Sequence, residues 1–513
     1  MTKPKKALIS VYNKEGIVEF AKGLHDLGIE IISTGGTAAL LKKNKIPVTF
    51  VEDYTGFPEI LDNRVKTLHP KIHAGILAVR SNKEHMEQLK KLKFEPIDIV
   101  VVNLYPLESV IHKRNVKLDE VIKNIDIGGP TMIRAAAKNF QDVIPVIDPR
   151  DYNEILELLN KGDVPFEKRM LLAAKVAENT ARHDSLIQNY FFDNIPGYTF
   201  PEIMNLSLKK IRDLRYGENP FQKAAFYSCG RVTETCVTKS KQLHGKELSF
   251  NNILDIDAAF ELIKEFDEPT ATIVKHTNPC GVASRPKIED AFKEAHEADT
   301  TAAFGGIISL NRKCNLATAR LIKPLFAECI IAPSFDKDAL DLLKEKKNLR
   351  ILETGNLFKE HHAWSMKKVT EGMLIQTKVY PEINEKILKT VSNKKPTKKE
   401  IEDMLFAWKI NAHVKSNSIV FVKGKVAVGI GAGQMARVDA VKIACFKAGE
   451  RAKGAVMASD AFFPFRDGID VAAKAGVTAV IQPGGSIRDQ EVIDAVNEHN
   501  MSMVFTGFRI FLH

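Results

Sequence analysis

The chain has 513 residues, of which 44% are apolar and 27% charged, and its formal net charge is +10. At about 100–200 residues per domain the length predicts two to four domains, and the apolar share is that of packed cores rather than of domain-scale disorder. No run of about 18 apolar residues occurs, which excludes a membrane-spanning helix; the basic excess fits anionic small ligands or nucleic acid.

The opening MTKPKKALISVY has an apolar stretch too short for the core of a secretion signal and reads as a first buried strand, so a cytoplasmic protein is expected. Cys229, Cys236, Cys280, Cys314, Cys329 and Cys445 form no Cys-x-x-Cys pair and read as reduced thiols. The positive charge is diffuse. Its densest cluster, Lys394-Lys395 with Lys398-Lys399, has no interleaved aromatic residues and reads as a solvated linker and helix start, not a nucleic-acid surface.

Residues Lys5–Tyr12 predict a strand, and Ile17, Phe20, Ala21, Leu24 and Leu27 recur with a helical period. Strands are predicted at Ile29–Thr34, Val48–Glu52, Ile97–Leu104 and Val143–Ile147, and a long helix at Pro165–Phe192. This alternation predicts an open parallel sheet with helices on both faces. Two prolines and a glycine around Ile195–Glu202 place a domain boundary near residue 200. The remainder alternates in two similar passes. The first is ATIVKHTNPCG, FGGIISL, CIIAPSF and LRILET; the second is SIVFVK with VAVGIGAG, AVMASDAFFPF, TAVIQPGG and MVFTG, with helices between. Each pass predicts one αβα layer, and the charge-rich stretch Asp336–Glu400 is expected to bridge them.

Four motifs in the first region carry chemistry. Ser33-Thr34-Gly35-Gly36-Thr37 follows a strand and opens a helix, so its N–H groups and hydroxyls suit a phosphate as well as a plain turn. Lys14 follows the first strand at the carboxyl edge, where such sheets bind ligands. Arg64-Val65-Lys66-Thr67-Leu68-His69-Pro70 places two cations and a hydroxyl in a loop. His69 and His73 are four apart, but Pro70 lies between them and no glutamate fills the metalloprotease slot. Asn103-Leu104-Tyr105-Pro106 ends an apolar strand, and Asp126-Ile127-Gly128-Gly129 precedes a helix carrying Arg134 and Lys138.

In the second region Lys275-His276-Thr277-Asn278-Pro279-Cys280-Gly281 follows a strand and reads as a helix-opening turn with a reactive Lys-His pair. Pro279-Cys280 echoes half of the zinc-deaminase signature. The second cysteine is absent, Ala283 standing in its place, and the His-x-Glu at His85-Met86-Glu87 lies in the other region, so no catalytic metal is expected.

SVYNKEG, STGGT, TGFPE, RVKTLHPKIHAGIL, NLYP and DIGGPTMIRAAAKN resemble the inosine monophosphate (IMP) cyclohydrolase domain, a relative of methylglyoxal synthase. That resemblance implies that Ser10, Lys14, Ser33, Thr34, Gly35, Gly36 and Thr37 hold a nucleotide's phosphate and ribose. Arg64, Lys66, Thr67, Asn103, Tyr105, Asp126, Gly128, Gly129 and Lys138 would surround its base. Lys66, Tyr105 and Lys138 are candidates to supply protons during ring closure, and Asp126 to orient or deprotonate the amide. The family often carries serine where this chain has Tyr12. Methylglyoxal synthase itself is the rival for this region and leaves residues 200–513 unexplained.

LRYGENP, GKELSFNNILDIDAA, VKHTNPCGVA, AFGGIISLNR, IIAPSF, KSNSIV, GIGAGQMARVDAV, SDAFFPFRDGID and TGFRIFLH resemble aminoimidazole carboxamide ribonucleotide (AICAR) formyltransferase, whose fold pairs two zinc-free deaminase-like subdomains. The chain is thus similar, over nearly its whole length, to the bifunctional formyltransferase/cyclohydrolase family of purine synthesis. Residues 1–199 would form an α/β cyclohydrolase domain of methylglyoxal synthase type, and 200–513 a formyltransferase domain with subdomains at about 200–350 and 400–513.

The resemblance implies that His276 accepts the substrate amine's proton, with Lys275 and Asn417 holding charge on the formyl oxygen or tuning the imidazole. Arg215, Tyr216, Phe304, Gly305, Gly306, Glu328 and Arg509 would bind the nucleotide, and Arg437, Phe462, Phe465 and Asp467 the folate. The co-substrate would be 10-formyltetrahydrofolate, and the assembly a homodimer with formyltransferase sites at its interface.

Overall fold

The structure, a computed structural model, describes residues 4–61, 64–111, 113, 116–229, 234–359, 364–378 and 381–513. Residues 1–3 of the opening segment, and 360–363 and 379–380 of the expected bridge, lie outside the described residues. The chain divides into two compact units, Met1–Ser207 and Leu208–His513. No helix among the described residues is long and apolar enough to cross a membrane.

The first unit is built on β1 (Lys6–Val11), β2 (Glu30–Ser33), β3 (Thr49–Phe50), β4 (Ile99–Asn103) and β5 (Ile144–Val146), all parallel, in the order β3-β2-β1-β4-β5. Alternate residues of β1 enter different cores. Ala7, Ile9 and Val11 pack with Phe20 and Leu24 on one face; Leu8 packs with Ile72 and Ile133 on the other. Burial on both faces is why these strands read as continuous apolar runs. Strand order reverses between β1 and β4, and that crevice at the carboxyl edge is where open α/β sheets bind ligands. The strand expected at Val48–Glu52 is shorter: β3 holds two residues and Val51–Thr55 is helical.

The second unit starts with a two-stranded ribbon, β6 (Lys209–Leu214) and β7 (Ala224–Ser228). Its first main sheet has β8 (Lys241–His244), β9 (Thr270–Lys275), β10 (Asn278–Ser284), β11 (Ile307–Leu310), β12 (Cys329–Ala332) and β13 (Arg350–Glu353), ordered β10-β9-β11-β12-β13-β8. A hairpin of β14 (Trp364–Val369) and β15 (Gly372–Thr377) follows. The second main sheet has β16 (Lys389–Thr390), β17 (Ile419–Val422), β18 (Ala427–Gly431), β19 (Val456–Ser459), β20 (Ala479–Gln482) and β21 (Ser502–Phe505), ordered β18-β17-β19-β20-β21-β16.

The two sheets match strand for strand, in order and in direction: antiparallel, antiparallel, parallel, parallel, antiparallel. Each is entered through a helix that opens on a capping box, Ser249 with Asn252 and Thr397 with Glu400. Phe260 from the first helix and Phe406 and Trp408 from the second share one core with Val274, Val420 and Ile481 of the sheets. The connection between the copies begins only after Glu353, because Lys337–Lys344 and β13 belong to the first layer.

A second difference from the sequence reading matters more. Lys275-His276 does not open a helix. His276 and Thr277 form a two-residue turn between β9 and the antiparallel β10. In the second copy Gly424-Lys425 occupies the corresponding turn between β17 and β18.

Gly281 in β10 and Gly429 in β18 are equivalent and make the layers fit. A Cβ on Gly281 would lie 1.9 Å from the Ala295 carbonyl oxygen, and one on Gly429 2.3 Å from that of Ala444. Either substitution forces a helix backbone away from the hairpin. Gly281→Ala and Gly429→Ala are each expected to lower the urea-unfolding free energy by about 2 kcal/mol or more, as overpacked cores do. Gly36→Ala, where nothing lies within 4 Å, is expected to stay within about 0.5 kcal/mol.

Candidate active sites

The first cluster surrounds the crevice between β1 and β4. The Asn103 side chain bridges the two strand ends: its Oδ1 accepts from the N–H groups of Tyr12 (2.6 Å) and Asn13 (2.9 Å), and its Nδ2 donates to Asn13 O at 2.9 Å. Tyr12 meets Tyr105 edge-on, with ring centroids 5.2 Å apart. Ser10 and Thr34 share a hydroxyl hydrogen bond of 2.8 Å. Lys14 donates to Thr37 Oγ1 at 2.9 Å and to the Val11 carbonyl. Ser33 is different: it is fully buried and its hydroxyl donates to Ile9 O at 2.7 Å, so it ties β2 to β1 rather than facing a ligand.

The Arg64–Pro70 loop reaches this edge. Lys66 Nζ lies 3.5 Å from where a Cβ on Gly35 would sit, and Thr67 Oγ1 2.6 Å from the equivalent point on Gly128. Burial, and then the Lys66 charge, draw the Lys14 ammonium below the usual lysine range. Two cations that repel each other beside the helix start at Gly35, with open space before Gly36, form a site for an anion. Arg64 is exposed nearby.

Asp126 accepts from the Gly129 N–H at 2.9 Å. Burial pushes its carboxyl up, against the pull of that N–H, of His183 and Lys66, and of the Tyr105 N–H. Burial, then the Asp126 charge and Tyr12, raise the Tyr105 phenol. Lys138 stands at the opposite end of the helix that Gly128 opens. It closes the helix Gly128–Lys138, about 15 Å along the axis from Gly128 at 1.5 Å per residue.

The second cluster forms around the His276 turn. Asn278 is its linchpin: Nδ2 donates to His276 O at 3.0 Å, and Oδ1 accepts from the Lys415 N–H at 3.0 Å. That second bond carries the loop Lys415-Ser416-Asn417 to the turn. The C-terminal segment joins the same loop, with Ser416 N donating to Leu512 O at 2.9 Å. Arg509 lies on this segment, its guanidinium over the Phe511 ring at 4.6 Å. Lys275 Nζ donates to Phe304 O at 2.7 Å, which sets Phe304-Gly305-Gly306 beside the turn. The His276 side chain is exposed.

Behind the turn lies a cavity of about 220 Å³, lined among others by Lys275, His276, Cys280, Asp299, Gly429 and Lys447. Burial pushes the Cys280 thiol up to about 12, so it is no nucleophile at neutral pH. No group of three His, Cys, Asp or Glu side chains suited to a metal ion occurs among the described residues.

Glu328 pairs with Arg350 at 2.6 Å, and its N–H donates to Gly306 O. Arg215 sits 5.6 Å from the Tyr216 ring centre after β6, in a loop tied by Asn251 to the helix Phe250–Ile263. Phe462 and Phe465 are 39% and 48% exposed on the segment after β19, suited to a flat ligand, and Asp467 begins the helix Asp467–Lys474. Arg437, expected to touch folate, faces inward instead. It is buried, paired with the fully buried Asp460, and donates to Ser459 Oγ and Asn417 Oδ1, each at 2.7 Å. Its place is behind Asn417. The sequence reading missed Asp460, Asn278, His183 and Asp255. Asn278 and Asp460 stand inside quoted motifs without a role assigned to them, and Asp255 left a trace of position, six residues after the capping serine, as Asp403 stands six after the capping threonine.

A cation-lined crevice at the switch point of a parallel sheet, and a Lys-His turn on one of two duplicated mixed sheets, give the chain the build of an α/β enzyme with two candidate sites. Residues 16–131 match the MGS-like domain model, and residues 136–447 match the AICARFT/IMPCHase bienzyme model. The bifunctional purine biosynthesis protein PurH of Acetivibrio thermocellus is 54% identical over 512 residues, covering 99% of this chain and 100% of the relative. The proteins of the same name from Ruminiclostridium cellulolyticum (53%) and Anoxybacillus flavithermus (51%) match over the same shares. A solved crystal structure, that of ForH, aligns over 37% of this chain and 99% of its own at 34% identity, with a TM-score of 0.34. The chain belongs to the AICARFT/IMPCHase bienzyme family: it is a bifunctional AICAR formyltransferase and IMP cyclohydrolase of the final steps of purine biosynthesis.

The Arg437–Asp460 pair is buried, and removing one partner leaves an uncompensated charge. Arg437→Met is expected to destabilise the second unit by about 3–5 kcal/mol in denaturant titrations. Lys442→Met, which opens an exposed pair with Asp439, is expected to cost about 0–1 kcal/mol.

Proposed function

We propose that formyl transfer occurs at the His276 turn and ring closure at the crevice between β1 and β4. The observation that carries the reading is the turn itself, which presents an exposed imidazole between Lys275 and the Asn278-anchored Asn417 loop. The formyl donor is 10-formyltetrahydrofolate. The AICAR amine is a weak nucleophile, because its lone pair is shared with the ring and carboxamide. As it attacks the formyl carbon, His276 takes its proton. Lys275 and the Asn417 amide stabilise charge on the formyl oxygen. The carbon–N10 bond then breaks and N10 of tetrahydrofolate takes up a proton. Arg215, Tyr216, Arg509, Glu328 and the Phe304–Gly306 segment hold the nucleotide, and Phe462, Phe465 and Asp467 hold the folate.

In the first unit Lys14, Ser10, Thr34, Gly35, Gly36 and Thr37 hold the phosphate end. Arg64, Lys66, Thr67 and Gly128 face the ring. Asp126 takes a proton from the carboxamide nitrogen as it attacks the formamide carbon. Lys66 and Tyr105 stabilise and protonate the oxygen, which leaves as water as the formamide nitrogen gives up its proton and forms the ring C=N bond.

The working protein is a cytoplasmic homodimer, a reading supported by the family and by exposed apolar side chains such as Met435, Phe446 and Ile487. Sedimentation is expected to find a dimer, and a fully active monomer contradicts it.

His276→Ala is expected to lower formyl transfer at least about 100-fold while leaving ring closure of supplied formylated nucleotide intact; Lys66→Ala does the reverse. Near-normal formyl transfer by His276→Ala sinks the assignment. The pH dependence of ring closure has a defined sign. A carboxyl pushed up by burial becomes protonated at a higher pH than usual, so the active carboxylate is lost as pH falls through that raised value. The acid limb of kcat for ring closure is therefore expected above the ordinary aspartate range, and a limb below it contradicts Asp126 as base.

A further inference from the structure

His276 and Thr277 both have left-handed backbone, with φ of 52° and 61°. For residues other than glycine each such conformation costs on the order of 1–3 kcal/mol, and it persists only where the surroundings over-determine it. In the second copy the same turn has φ of 60° at Gly424 and 57° at Lys425. There glycine relieves the first position. The first copy keeps a histidine where its twin has the unstrained residue.

Both turns are held from below in one way. Asp403, on the helix Lys398–Asn411, accepts from the N–H groups of Gly424 and Lys425, each at 2.7 Å. Asp255, on the helix Phe250–Ile263, accepts from the Thr277 N–H at 2.7 Å. The two lysines that precede the turns match as well: Lys275 donates to Phe304 O and Lys423 to Lys453 O, each at 2.7 Å. The device is a duplicated structural clamp, and only one copy carries a side chain able to accept a proton.

We infer that Asp255 is a positioning residue for formyl transfer: its carboxylate grips the turn through the Thr277 N–H and fixes the direction in which His276 meets the substrate amine. The inference rests on the reading of His276 as proton acceptor. Burial pushes the Asp255 carboxyl up, while the Thr277 and His276 N–H groups and the charges of His276 and Lys275 pull it down.

Asp403 supplies an internal control, because its removal loosens an equivalent turn with no imidazole on it. The test compares Asp255→Ala, Asp255→Asn and Asp403→Ala in the full-length protein, by melting temperature, formyl-transfer kcat and KM, and ring closure of supplied formylated nucleotide. Both alanine variants are expected to melt lower than the parent. Only Asp255→Ala loses formyl-transfer kcat, by about 100-fold for a displacement near 1 Å, with ring closure unchanged. Asp255→Asn, which keeps an acceptor but not the charge, recovers most of the loss and remains severalfold, less than about tenfold, below the parent.

A kcat within twofold for Asp255→Ala overturns the inference. So does an equal kcat loss for Asp403→Ala, which would make the clamp merely structural. Should Asp255→Ala not fold, Asp255→Asn decides: a severalfold fall in kcat at unchanged KM supports the inference, and parental kcat overturns it. If His276→Ala retains transfer, the underlying reading fails whatever Asp255 does; if His276→Ala is inactive and Asp255→Ala is not, only the positioning role fails.

Discussion

The grip of a helix carboxylate on a left-handed two-residue turn organises the second unit. A tight turn between twisted strands requires positive φ at both central positions, which disfavours any side chain there. The Asp255 and Asp403 carboxylates accept from the turn N–H groups and offset that cost. The two hairpins they close are the edge pairs of their sheets. Gly281 and Gly429 let the helices Ile288–Ala298 and Arg437–Ala448 lie against those pairs, with backbone carbonyls where a side chain would otherwise stand. One rigid frame, used twice, thus yields a turn with a histidine and a turn with a glycine.

The first unit solves a different problem with a different device. Ring closure needs a phosphate grip, a base and a proton source at one place. In the proposed reading, strand-order reversal between β1 and β4 supplies the place, and the side chain of Asn103, at the end of β4, ties that strand to the backbone following β1. The carboxyl of Asp126 and the phenol of Tyr105 are both raised by burial, and the Asp126 charge raises the phenol further. Two neighbouring groups shifted in this way suit a reaction that removes one proton and donates another.

Much of this was legible in the chain itself. Apolar runs separated by helical periods gave the parallel sheet, and the Gly35-Gly36 and Gly128-Gly129 pairs marked its ligand edge. The two passes of the second region gave the duplication. What escaped depends on partners distant in sequence. Ser33 reads as a phosphate ligand until its hydroxyl is seen on Ile9 O, and Arg437 reads as a folate ligand until Asp460, 23 positions on, is seen to claim it. The helix expected after His276 failed for a local reason: Asn-Pro-Cys-Gly resembles a helix start, but pairing of β10 with β9 overrode it.

The central claim is that formyl transfer and ring closure are chemically independent steps at two sites, one in each unit. Mixing purified His276→Ala and Lys66→Ala proteins, each blocked in one step, tests it in a single assay of IMP formation from AICAR and 10-formyltetrahydrofolate. The account predicts that neither variant alone forms IMP and that the equimolar mixture does. A mixture as inactive as its components would contradict it.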